Sequence, residues 1–80
     1  MAHPVDIYVG SRLRQQRKLL GLTQKQFGEK VGLTYQQIQK YEAGNNGMRA
    51  SRIYEFANIL NVSILYFFRG YEDERLPESL

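Results

Sequence analysis

Thr23-Gln24-Lys25-Gln26-Phe27-Gly28-Glu29-Lys30-Val31-Gly32-Leu33-Thr34-Tyr35-Gln36-Gln37-Ile38-Gln39-Lys40-Tyr41-Glu42-Ala43-Gly44 is the most informative run in the chain. It contains the same local signal twice. Thr23 is followed three residues later by Gln26, and Thr34 by Gln37. A threonine hydroxyl and a glutamine amide at that spacing satisfy the orphan N–H groups of a helix start reciprocally. The first box opens a helix over Gln24–Val31 that Gly32 stops. The second opens a helix that runs to about Ala43 and is closed by Gly44. Only Gly32-Leu33-Thr34 joins the two, too tight a connection for side-by-side antiparallel packing, so the helices must cross steeply. Apolar spacing agrees with that geometry. Phe27 and Val31 face inward from the first helix, Leu33 plugs the turn, and Ile38 and Tyr41 face inward from the second. Gly28 is small enough to let the helices approach, and Gly32 supplies the positive φ of the turn.

Working outward, Val9, Leu13 and Leu20 mark one face of a helix from about Asp6 to Leu20, after which Gly21 supplies a left-handed end. On the other side, Asn45-Asn46-Gly47 reads as a turn. Ile53, Phe56, Ala57 and Leu60 then mark a helix from about Arg49 to Leu60, ended by Asn61. Ser63 to Phe68 reads as a last short, very apolar helix. No strand alternation persists, and there is no internal repeat. The expectation is an all-α, compact five-helix domain over residues 6–70, preceded by a segment 1–5 and followed by an acidic tail 71–80.

Composition narrows the function. The 80 residues hold no cysteine, which excludes disulfides, thiolate metal sites and cysteine nucleophiles. The single histidine, His3, lies beside Pro4 in the leading segment and reads as a frayed residue, neither ligand nor base. With scattered acids besides, no convergent catalytic or metal cluster is assembled, so the chain reads as non-enzymatic and without cofactor. No apolar run approaches a membrane span and no signal segment opens the chain, giving a cytoplasmic expectation with no membrane partner. Residues 1–70 carry ten Lys/Arg against four acids, a net +6. Residues 71–80 carry Arg75 against four acids, a net −3, which makes up the overall +3. A basic body of this kind is the electrostatic footprint of a phosphate-backbone binder.

With the inward positions removed, the second helix of the motif turns Tyr35, Gln36, Gln37, Gln39 and Lys40 outward, a face with no acid. A glutamine can pair bidentately with adenine N6 and N7 in the major groove. On an arbitrary helix this would be a solvated polar face. Here it sits at the leading end of a helix projected by a steep turn from a basic body.

The segment TQKQFGEKVGLTYQQIQKYEAG resembles the helix-turn-helix of the lambda-repressor-like (Cro-repressor, xenobiotic-response-element) DNA-binding domains. The shared pattern is T-Q at the first cap, the turn glycine nine residues on, an isoleucine six later, then Y-E-x-G. VGSRLRQQRKLLGLTQKQFG and RIYEFANILNVSILYFF extend the likeness over roughly residues 7–69, especially to small regulators of alphaproteobacteria. The resemblance implies a five-helix fold, dimeric binding to palindromic operators and transcriptional regulation, usually repression. It makes Tyr35, Gln36, Gln37 and Lys40 the base-reading set, with Tyr35 either reading a base or lying along the sugar–phosphate edge. It puts Gln24, Thr34, Asn45, Asn46 and Arg49 against the DNA backbone, with Gln24 also bracing the second helix of the motif. It makes Arg17 and Glu42 a partly buried structural ion pair. Arg12, Arg14 and Lys18 are basic enough to meet phosphate but equally suited to solvent.

The implied partners are double-stranded DNA and a second copy of the chain. Ile64, Leu65, Tyr66, Phe67 and Phe68 hold more apolar area than so small a body can bury, which makes Leu65 and Tyr66 candidates for a subunit interface, against an all-core alternative. The acidic tail reads as an arm for a protein partner such as a toxin, as a dimer element or as a solubilising end. Competing readings are a coactivator on the same fold, the antitoxin of a toxin–antitoxin pair and a restriction-modification controller.

Overall fold

The computed structural model describes residues 2–71. Among these residues four α-helices follow one another: α1 (Pro4–Leu19), α2 (Gln24–Val31), α3 (Tyr35–Glu42) and α4 (Ala50–Leu60). A single 3-10 turn, Ile64–Phe67, stands where a fifth helix was expected. No strand occurs among the described residues.

α1 starts two residues before the expected Asp6, so the leading segment is partly helical. Pro4 has its φ preset for the first helical turn, where its missing N–H costs nothing. His3 Nδ1 accepts the Val5 N–H at 3.0 Å, which makes His3 the N-cap of α1, not a frayed residue. At the other end the helix stops at Leu19, and Leu20 is its C-cap, past the end of the buried face. Leu20 therefore does not continue the Val9/Leu13 face: it is 46% exposed, and Leu22 packs against the core instead.

Both capping boxes form. Thr23 Oγ1 accepts the Gln26 N–H at 3.0 Å while Gln26 Oε1 accepts the Thr23 N–H at 2.9 Å. The equivalent distances for Thr34 and Gln37 are 3.2 and 2.9 Å. Gly32 ends α2 at φ +74°, and the Leu33 N–H then returns to the Gly28 carbonyl at 2.9 Å. A Cβ on Gly28 would lie 2.5 Å from the Leu33 carbonyl oxygen, so the turn can press onto α2 only because that position has no side chain.

One interior joins all the elements. Val9 and Leu13 enter it from α1, Phe27 from α2, Ile38 from α3, Phe56, Ala57 and Leu60 from α4, and Phe67 from the 3-10 turn. Phe56 is central, with its ring edge-on to Phe27 at 5.1 Å and to Tyr41 at 5.7 Å. Such aromatic pairs contribute about 0.5–1.5 kcal/mol beyond area burial. Val31, Leu33, Tyr41 and Ile53, all expected inward, pack around this interior while keeping part of their surface in solvent.

The segment after α4 departs most from expectation. Asn61 ends α4 in the left-handed region at φ 60°, and Ser63 Oγ accepts the Leu65 N–H at 3.2 Å. Four residues then wind as a 3-10 turn, the form short helical pieces commonly take. Phe67 is fully buried, whereas Ile64, Leu65 and Phe68 keep 42%, 64% and 39% of their surface exposed. Tyr66 is half-buried and held against α1. Arg12 Nε donates to its carbonyl at 2.9 Å, the guanidinium sits 3.8 Å from its ring centroid, and its hydroxyl donates to the Arg12 carbonyl at 3.1 Å. The same contacts hold Arg12, half-buried, against the 3-10 turn. Close by, the Tyr8 hydroxyl donates to the Arg69 carbonyl at 2.6 Å, and its ring lies 5.4 Å from that of Tyr71. Tyr71 is thus part of the folded body, and the rest of the acidic tail, 72–80, lies outside the described residues.

Candidate nucleic-acid interface

The position of α3 is set at both ends. At its start, Thr34 is the N-cap, and the Gly32–Thr34 turn fixes where the helix leaves α2. At its end, Glu42 is buried and receives three donors. Arg17 Nε lies 2.5 Å from Oε2, Arg17 Nη2 lies 3.0 Å from Oε1, and Gln24 Nε2 donates to Oε1 at 3.1 Å. Arg17 Nη1 also donates to the Leu22 carbonyl at 2.7 Å. One guanidinium on α1 therefore ties the entry to α2 to the exit from α3. Its planar fork matches the carboxylate bidentately, which a lysine could not do.

A second device at the same junction had no place in the sequence-based expectation. Gly10, in the interior of α1, faces the last carbonyls of α3. A Cβ there would stand 2.3 Å from the Tyr41 oxygen and 2.8 Å from that of Glu42. The available signal was glycine itself, which costs about 1 kcal/mol against alanine inside a helix and so points to a packing reason when found there.

Held this way, α3 presents an outer side on which Tyr35, Gln36, Gln37, Gln39 and Lys40 are all exposed. They do not stand alike. Gln37 folds back into the capping box. Tyr35, Gln36, Gln39 and Lys40 make no side-chain hydrogen bond within the described residues. Beside α3, Arg14 and Gln24 come together with Gln39, Glu42 and Ala43 around an open cleft of about 230 Å³. Gln24 is half-buried there, its amide on Glu42. Arg14 and Lys18 are exposed. Asn45, Asn46 and Arg49 are exposed on the connection between α3 and α4, past the far end of α3. Thus Gln24 and Arg14 flank α3 on one side, and the loop residues follow its exit. No helix among the described residues is long and apolar enough to cross a membrane.

Comparison with known proteins places this geometry. A family model described as Helix-turn-helix matches residues 13–67, which include the whole of α2, α3 and α4. An HTH-type transcriptional regulator of Sinorhizobium medicae (strain WSM419) is 52% identical over 66 residues, covering 82% of this chain and 48% of that protein. The chain spans about half the length of such regulators. Among solved structures, the restriction-modification controller protein C.AhdI from Aeromonas hydrophila superposes with a TM-score of 0.72 at 26% identity, over 78% of this chain and 90% of that one. The P22 c2 repressor protein, crystallised with a synthetic operator, superposes with a TM-score of 0.70 at 26% identity, over 78% and 94%. The chain belongs to the helix-turn-helix family of lambda-repressor-like DNA-binding domains, a family of transcriptional regulators and not of enzymes.

Proposed function

We propose that this protein is a sequence-specific transcriptional regulator, acting in the cytoplasm as a dimeric repressor on a palindromic operator. The observation that carries the reading is the outer side of α3: an acid-free surface raised by a tight turn and anchored from behind by buried contacts. Gln36, Gln37 and Lys40 form the groove-facing set, with Tyr35 on its flank along the sugar–phosphate edge. Gln24, Thr34, Asn45, Asn46 and Arg49 lie along the sugar–phosphate backbone, with Arg14 beside Gln24. The basic body neutralises phosphates and releases counterions, giving affinity that falls steeply with salt. Base contacts then add discrimination on top of it.

One such helix reads too few base pairs to be selective, and two related by a two-fold axis double the discrimination when set about 34 Å apart. Ile64 and Leu65, left exposed beside the core by the 3-10 turn, are the surface we assign to that second copy. The likeness to an operator-bound repressor supports the choice of repression.

The test is a selection of bound duplexes from a random pool, followed by sedimentation of the protein with and without the selected duplex. A two-fold symmetric consensus and two copies per duplex are the expected results. Equal affinity for selected and random DNA would remove the assignment.

A further inference from the structure

Gln36 and Gln37 are adjacent and chemically identical, yet the structure leaves only one of them free to read an adenine. Adenine presents an acceptor at N7 and a donor at N6, so a glutamine that recognises it must offer its N–H₂ and its carbonyl oxygen together. Gln37 Oε1 already accepts the Thr34 N–H at 2.9 Å and the Thr34 hydroxyl at 3.2 Å, which fills both lone pairs. Its remaining donors can still meet acceptors such as guanine O6 or N7, but with no free oxygen it cannot accept from adenine N6 and so cannot make the bidentate adenine contact. Gln36 has no partner within the described residues, and neither does Lys40.

Helical position points the same way. With about 100° per residue, the direction opposite the buried pair Ile38 and Glu42 falls within roughly 40° of both Gln36 and Lys40. Gln37 lies roughly 60° from that direction, towards Tyr41, while Tyr35 and Gln39 turn well away from it to the opposite flank. A lysine ammonium donates to guanine O6 and N7, where adenine offers an amino group instead of the O6 acceptor. Four residues of helix rise about 6 Å, roughly two base-pair steps of about 3.4 Å.

We infer that the two glutamines divide the work. Gln37 positions α3, and Gln36 together with Lys40 reads a half-site containing an adenine and a guanine one to two base pairs apart. This rests on α3 being the groove element proposed above.

The experiment measures affinity of the 80-residue chain for its selected duplex and for every single-base-pair replacement of that duplex. The variants are Gln36→Ala, Lys40→Ala, Gln37→Ala and Gln37→Glu. Glutamate at the third helical position still accepts the Thr34 N–H, so Gln37→Glu keeps the cap. For the wild type, replacing the A·T pair lowers affinity about 5- to 150-fold. In Gln36→Ala that difference collapses at this one position, and in Lys40→Ala it collapses at the G·C position. Gln37→Glu keeps the wild-type melting temperature and every wild-type ratio between duplexes, while its added charge weakens binding to all of them alike. Gln37→Ala melts lower and also keeps the ratios. The division is overturned if a Gln37 variant flattens the preference at a single base pair, or if Gln36→Ala leaves every ratio intact. A wild type that ranks all duplexes equally overturns the underlying function as well, which sets the two failures apart.

Discussion

The two ends of α3 are held by opposite kinds of contact. At its exit, Glu42 is buried beneath the Arg17 fork and the Gln24 amide, and α1 approaches the last carbonyls closely enough that Gly10 has no room for a side chain. At its entrance, Thr34 and Gln37 exchange neutral hydrogen bonds in full contact with solvent. Charged, desolvated contacts are expensive to break, whereas an exposed neutral cap can be lost without stranding a buried group. The exit end fixes the helix to the body, and the entrance end leaves the leading turn in solvent.

The severest way to break the contrast is at the ion pair. Arg17→Ala leaves the Glu42 carboxylate buried and unmatched, at a cost of about 3–5 kcal/mol. A chain of this size holds roughly 4–12 kcal/mol in total, so thermal unfolding should show a severely destabilised or unfolded protein. The double replacement Arg17→Met/Glu42→Leu should recover most of that stability, since well-packed apolar residues often equal a buried pair. Failure of the double variant to recover would mean the bonds to Leu22 and Gln24 matter more than the missing charge.

Gly10→Ala is the next largest. Its Cβ would meet backbone, not a flexible side-chain end, so α1 and α3 must separate. Overpacking of this kind costs about 1–3 kcal/mol, against the roughly 1 kcal/mol that alanine gains in helix propensity. The expected outcome is a lower melting temperature together with weaker DNA binding, because the displaced element is α3 itself. A stabilised variant would show that the junction yields, and would dissolve the contrast with the entrance end.

Thr34→Ala probes the other end and should cost only about 1 kcal/mol, within a range of 0.5–2. For a domain of this length, 1 kcal/mol moves the melting temperature by about 4–8 °C. A loss as large as that of Arg17→Ala would make the cap an anchor and not a local adjustment.

How readily these features could be read from the sequence followed their range along the chain. The capping boxes at Thr23 and Thr34 were legible because each is complete within four residues. The inward set of α4 was legible because the helix keeps one phase to Leu60. Leu20 misled because it continues the period numerically beyond the residue where α1 stops. The Arg12–Tyr66 contacts span 54 positions, so nothing near Arg12 distinguishes it from the exposed Arg14 two residues on. The 3-10 turn was hidden by its own hydrophobicity, since an apolar run reveals burial but not winding. Within the candidate site, the residues on the face of α3 were legible, but Gln37 was legible in two roles at once. Its sequence carries two valid instructions, to cap and to face outward, and only coordinates show that its oxygen obeys the first.

The smallest effect is the most telling. Gln36→Ala and Lys40→Ala remove exposed side chains that make no hydrogen bond within the described residues, so each should change stability by no more than about 0.5 kcal/mol. A melting curve superimposable on the wild type, with selective DNA binding weakened, completes the scale that begins at Arg17. A substantial loss of stability from either variant would mean the outer side of α3 carries structural duty, and its freedom from internal partners would then no longer distinguish it from the anchored end.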